Sequence, residues 1–127
     1  MSFQDTRNWI ASTVANDADW TTYPFPPMVP QPNSIVLEPD DPYITNTNAN
    51  VSLACRMRLR VRLTVPLFDN SSNLDQLEVM ANRVRRLLLE HVWNVGDLSA
   101  PQVLDTDNGV LLTAYIPIEV LTEWSTQ

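Results

Sequence analysis

Val51, Leu53, Cys55, Met57, Leu59, Val61, Leu63 and Val65 are all apolar. Between them stand Ser52, Ala54, Arg56, Arg58, Arg60, Arg62 and Thr64. Strict alternation with period two predicts a half-buried β-strand over 51–65, because successive strand side chains point to opposite faces. At about 3.3 Å per residue the strand would span roughly 50 Å, well beyond the usual length. A bend at a bulge, or a projection beyond the body of the domain, is therefore expected. Pro66 ends the pattern.

A helical period follows. Leu74, Leu77, Met80, Ala81, Val84, Leu87 and Leu88 form one stripe, which predicts an amphipathic helix running to about Val92. Ser72 with Asp75 three residues on resembles a capping box, with Asp in place of Glu or Gln. Val79, Arg83, Arg86 and Glu90 fall on the side opposite the stripe, and Val79 there suggests a second contact surface. Val103-Leu104 opens the next strand. Asp105 to Gly109 contains the Asn-Gly pair of a tight hairpin turn, and the chain returns as a strand over 110–121. Pro117 inside that strand predicts an edge position or a bulge.

Upstream, residues 3–16 predict a short helix carrying Phe3, Trp9, Ile10 and Val14, one that needs tertiary contacts to persist. Pro24, Pro26, Pro27, Pro30 and Pro32 then force the chain to run extended. Tyr23, Phe25, Met28 and Val29 are interleaved with them, too apolar for a disordered linker. An ordered arm is expected, packed on its own domain or on a neighbour through residues such as Phe25 and Met28. Ile35 to Leu37 predict a short strand, 38–42 a turn and 45–50 a polar loop. The expected fold is α+β: a mainly antiparallel sheet with a long amphipathic strand or hairpin, one major helix packed on one face, and a short N-terminal helix. One domain over 1–127 is expected, with the helix at 3–16, a proline-rich arm and loops at 21–50 and a sheet–helix core at 51–121.

Composition narrows the chemistry. The net charge is −7, and lysine is absent from a chain with eight basic residues, all arginine. An acidic chain is poorly suited to general nucleic-acid binding. One cysteine excludes an intrachain disulfide, and Cys55, on the apolar side of the long strand, reads as a buried inert thiol. The N-terminus lacks the basic and apolar regions of a signal peptide, and no apolar run reaches the roughly 20 residues of a spanning helix. A soluble protein without membrane contact is expected.

No nucleophile motif, glycine-rich phosphate loop or zinc spacing is visible, so no enzyme activity, cofactor or metal is expected. The Asp105–Gly109 loop departs from a calcium loop, because Gly comes one residue early and Tyr115 stands where a Glu is needed. Asp40-Asp41 between prolines reads as a solvated turn, and the lone His91 as a structural or surface residue. The row Arg56, Arg58, Arg60, Arg62 is the main candidate surface. Same-face strand residues lie roughly 6.6 Å apart, and like charges in line repel, so acids are expected nearby. Those acids belong to adjacent strands (Glu119 for example), to a partner subunit or to nucleic acid.

From Pro39 onward the chain resembles the tail-terminator proteins of long, non-contractile-tailed bacteriophages. The likeness is carried by Glu-Pro-Asp-Asp-Pro-Tyr (38–43), Arg-Val-Arg-Leu-Thr-Val-Pro (60–66), Asn-Leu-Asp-Gln-Leu (73–77) and Val-Leu-Leu-Thr-Ala-Tyr-Ile-Pro-Ile-Glu-Val (110–120). The proline-rich arm departs from the pattern. The resemblance implies a virion protein that assembles in the host cytoplasm as a homo-oligomer, usually a hexameric ring. Such a ring caps the tail tube, stops its polymerisation and joins the tail to the head–tail connector, with DNA passing through its lumen. A head-side connector or stopper of the same neck, and a nucleic-acid-binding module using the arginine row, are the alternatives.

Overall fold

The computed structural model describes residues 3–16, 19–46, 54–67, 70–91, 94–107 and 109–124. In chain order the elements are α1 (Phe3–Thr13), β1 (Thr21–Tyr23), β2 (Ser34–Asn46), β3 (Ala54–Pro66), α2 (Asn70–His91), β4 (Asn94–Val95), β5 (Gln102–Thr106) and β6 (Gly109–Glu123). Among the described residues six strands form one sheet in the order β1-β2-β3-β6-β4, with β5 also paired to β6. Only β1 and β2 run parallel; the other pairs are antiparallel. The expected α+β class, with a mainly antiparallel sheet, a major helix and a short N-terminal helix, is what the chain adopts.

The alternation of β3 sorts its side chains as its period requires. Cys55, Met57, Leu59, Val61, Leu63 and Val65 are fully buried. All but Cys55 belong to one core cluster with Leu77, Met80, Ala81, Val84 and Leu88 of α2 and Ile10 of α1. Each large side chain so buried contributes roughly 1.5–3 kcal/mol. The strand does not project, because β6 pairs with it without a register shift from Ala54↔Glu123 to Pro66↔Leu111. Positions 51–53 of the expected strand lie outside the described residues, as do 47–50 of the expected loop and Val92.

Several local expectations give way. The turn expected at 38–42 is instead the middle of β2, which continues from Ser34 to Asn46 along β3. Thr45 and Asn46, expected in a loop, pair with Arg56 and Cys55. The proline-rich turn chemistry is absorbed by a bulge. Residues 40–43 fit between the pairs Pro39↔Leu59 and Ile44↔Met57, and the Asp41–Pro42 peptide is cis. Pro39 and Pro42 lie beyond the stretch of β2 that β1 covers, and an edge tolerates missing N–H donors. So β2 belongs to the sheet, although residues 21–50 read as arm and loops.

Helix α1 stops at Thr13, short of the expected 16, while Val14 and Trp20 still reach the core. Helix α2 begins at Asn70, so Ser72 lies in its first turn and is not the cap. Leu74, assigned to the stripe, is 37% exposed, and Asn73 is buried in its place. Against the expected edge or bulge, β6 runs between β3 and β4 in unbroken register with β3, and it is the local surroundings that accommodate Pro117. Its carbonyl accepts the Gly96 N–H at 2.7 Å, and the N and O of one strand residue point to the same side. The donor that Pro117 lacks therefore faces the break between β4 and β5, not the β3 ladder.

Candidate functional site: the charged sheet face and the proline arm

Both helices cover one face of the sheet, which leaves the arginine row on the other. Strand register decides what each arginine meets. Arg58 lies opposite Glu119, Arg60 opposite Pro117 and Arg62 opposite Tyr115 on β6; on the other side Arg60 faces Glu38. The guanidinium groups reach diagonally. Arg62 Nε donates to Glu38 Oε1 at 2.8 Å and Arg60 Nε to Asp40 Oδ1 at 3.0 Å. Arg58 lies 3.7 Å from Asp40 Oδ2 and 3.5 Å from Glu119 Oε1. Arg58 Nη1 also donates to the Asp41 carbonyl at 3.2 Å, fastening the bulge. Arg62 Nη1 donates to Thr113 Oγ1 at 3.2 Å.

Tyr115 completes the ladder from β6. The guanidinium carbons of Arg60 and Arg62 stand 4.8 and 5.3 Å from its ring centroid, a cation–π arrangement that tolerates both charges at once. Asp40 is the hub. Its burial raises its pKa, but the Asp41 N–H, the Arg60 hydrogen bond and the charges of Arg60 and Arg58 outweigh this. The carboxyl therefore titrates below its ordinary value of 3.8. A carboxylate held this way stays ionised near neutral pH and cannot serve there as a proton donor. Arg56, exposed at the end of the row beside Thr45 and Leu121, has no ion pair among the described residues.

The other candidates separate. Arg83 is tied to its own domain: it pairs with Asp19 at 2.7 Å and stacks over the Trp20 ring at 4.8 Å. Val79 is 57% exposed and Arg86 is exposed on the outer side of α2. A shallow cavity of about 360 Å³ beside them is lined by Trp20, Gln76, Val79 and Arg83. His91, exposed at the end of α2, stands edge-on to Trp9 with ring centroids 6.5 Å apart. Among the described residues no group of three His, Cys, Asp or Glu is placed to hold a metal, and no helix is long and apolar enough to cross a membrane.

The proline arm leaves β1 after Tyr23 and re-enters the sheet at Ser34. Thr21 N–H donates to the Asn33 carbonyl at 3.0 Å, Ser34 Oγ donates to the Gln31 carbonyl at 2.7 Å, and Asn33 turns through φ 50°. These bonds close the arm into a loop over one end of the arginine face. Its prolines line one side of a groove of about 300 Å³ that also touches Val36, Arg62, Thr64, Leu104 and Thr113. Phe25 is 64% exposed, and Met28 is as exposed as an isolated residue. Sequence reasoning found the arm and its apolar residues but not the groove, which brings together segments far apart in the chain.

No family model matches this chain, and no curated protein sequence matches it.

Proposed function

We propose that this protein is a structural virion component of tail-terminator type. In this reading it assembles as a ring at the head-proximal end of a phage tail tube, stops tube polymerisation and presents a surface to the head connector. The resemblance supplies the role, and one observation carries the assembly. An ordered, hydrogen-bonded arm holds Phe25 and Met28 in solvent, where apolar side chains gain nothing until another surface covers them. The long β3–β6 ladder with α2 across it offers a stiff body on which such an arm can be mounted.

The nucleic-acid alternative draws less support from the same geometry. Arg58, Arg60 and Arg62 each have a carboxylate partner within the chain, so binding phosphate would first break existing pairs. Electron micrographs and native mass spectrometry of the protein, alone and with tail tubes, test the proposal. Rings or tube-end particles are the expected result. A protein that stays monomeric alone and never attaches to tubes would overturn it. Mutant phage with over-long tubes support the terminator role, whereas heads that leak DNA support the stopper variant.

A further inference from the structure

The arm and the groove beside it form one surface without net charge. No charged residue occurs between Asp19 and Glu38. In the groove, Pro27 and Pro30 form one wall, Leu104 and Gln102 of β5 the other, and Thr64 and Thr113 the floor. The floor hydroxyls bond to each other at 3.3 Å. Arg62 and Glu38 at the groove's end neutralise one another at 2.8 Å. The groove thus presents largely apolar walls over a paired polar floor, with no net charge.

Charge decides which occupant suits it. Each copy carries −7, so two copies repel one another overall, and a patch without net charge lets them approach closely. The arm's outer side bears Phe25, Met28 and Val29, all exposed, on a proline-stiffened backbone that loses little entropy on docking. The arm and the groove lie on opposite sides of the same loop, so one copy cannot fill its own groove with its own outer side chains. We infer that the outer side of the arm, led by Met28 and Phe25, docks into the groove between arm and β5 of a second copy of this chain. The contact is head-to-tail: each subunit gives an arm and receives one, the kind of interface that propagates into a closed ring. This rests on the ring reading above and specifies its interface.

The test uses full-length variants, Met28→Asp for the arm and Leu104→Asp for the groove. Gln102→Asp, beside Thr113 on the groove face, serves as a second groove variant should Leu104→Asp lose its cooperative unfolding transition. Native mass spectrometry and sedimentation across a concentration series, alone and with tail tubes, read the assembly. Burying a carboxylate where a methionine sat should weaken association by at least about tenfold to a hundredfold. Neither variant alone should assemble. Mixed together they should form a one-to-one dimer, since the arm variant keeps its groove and the groove variant keeps its arm. Rings by the wild type that persist in both variants would overturn this inference and leave the ring proposal standing. A wild type that neither self-associates nor attaches to tubes would overturn both.

Discussion

At Gly96 the absence of a side chain has a measurable role. A Cβ there would lie 2.7 Å from Pro117 Cγ and 3.2 Å from the Pro117 carbonyl oxygen, the atom that the Gly96 N–H bonds. Gly96→Ala should cost about 1–3 kcal/mol through overpacking, read as a lowered denaturant midpoint with an unchanged slope. Asp40 makes a second residue-scale prediction. Its pKa is depressed in the folded state, so its contribution is present above the unfolded value and is lost as pH falls through the folded one. The wild type should therefore lose stability on acidification below about 3.8. Asp40→Asn, with a neutral partner for Arg58 and Arg60, should be less stable at pH 7 by about 1–2 kcal/mol. Its acid limb should also be shallower, as thermal unfolding at a series of pH values will reveal.

Among the elements, α2 separates what a periodic pattern can and cannot assign. Leu77 is fully buried and Leu74 is 37% exposed, although both fit an apolar stripe. Leu77→Ala should cost about 2–5 kcal/mol and Leu74→Ala less than about 0.5 kcal/mol beyond helix propensity, a contrast that urea unfolding resolves. The error at Leu74 has a geometric cause. A helix lying on a twisted sheet turns a slightly different face inward at each end, and at the start of α2 Asn73 faces in. Element β2 holds the larger surprise. Its Pro and Asp residues are ordinary turn signals, yet the strand persists because β3 supplies a ladder partner on both sides of the bulge. Local composition cannot anticipate a partner that follows later in the chain.

For the whole molecule, the arginine face looks exposed in sequence but is largely neutralised in three dimensions. Arg58, Arg60 and Arg62 pair with Glu38, Asp40 and Glu119. Charge reversal at Arg58 or Arg60 strikes the Asp40 hub, so a loss of assembly there would mix folding with contact. Arg56 is the cleaner probe. Arg56→Glu should change stability by less than about 0.5 kcal/mol, so any loss of rings in micrographs reports on an intermolecular role for this end of the row. Arg62→Glu should cost about 1–2 kcal/mol by setting like charges face to face. Adding Glu38→Arg should restore most of that loss, as a double-mutant cycle in denaturant will measure.

What the chain determined by itself was local and periodic: the two-faced β3, the body of α2, the pairing of β5 with β6 across a short turn, and the apolar arm. Each follows from a repeat of two or 3.6 residues, or from the fixed torsions of proline and the freedom of glycine, and none needs a distant partner. Tertiary structure alone decided the sheet order, the persistence of β2, the side of Pro117 that lacks a donor, and the acids that the arginines meet. It also built the groove, from an arm near residue 27 and a strand near residue 104. Those depend on which strands lie side by side and in what register, and register is a property of pairs of segments. No single segment carries that information, because the same arginine row reads identically whether its carboxylates come from a neighbouring strand or from another subunit.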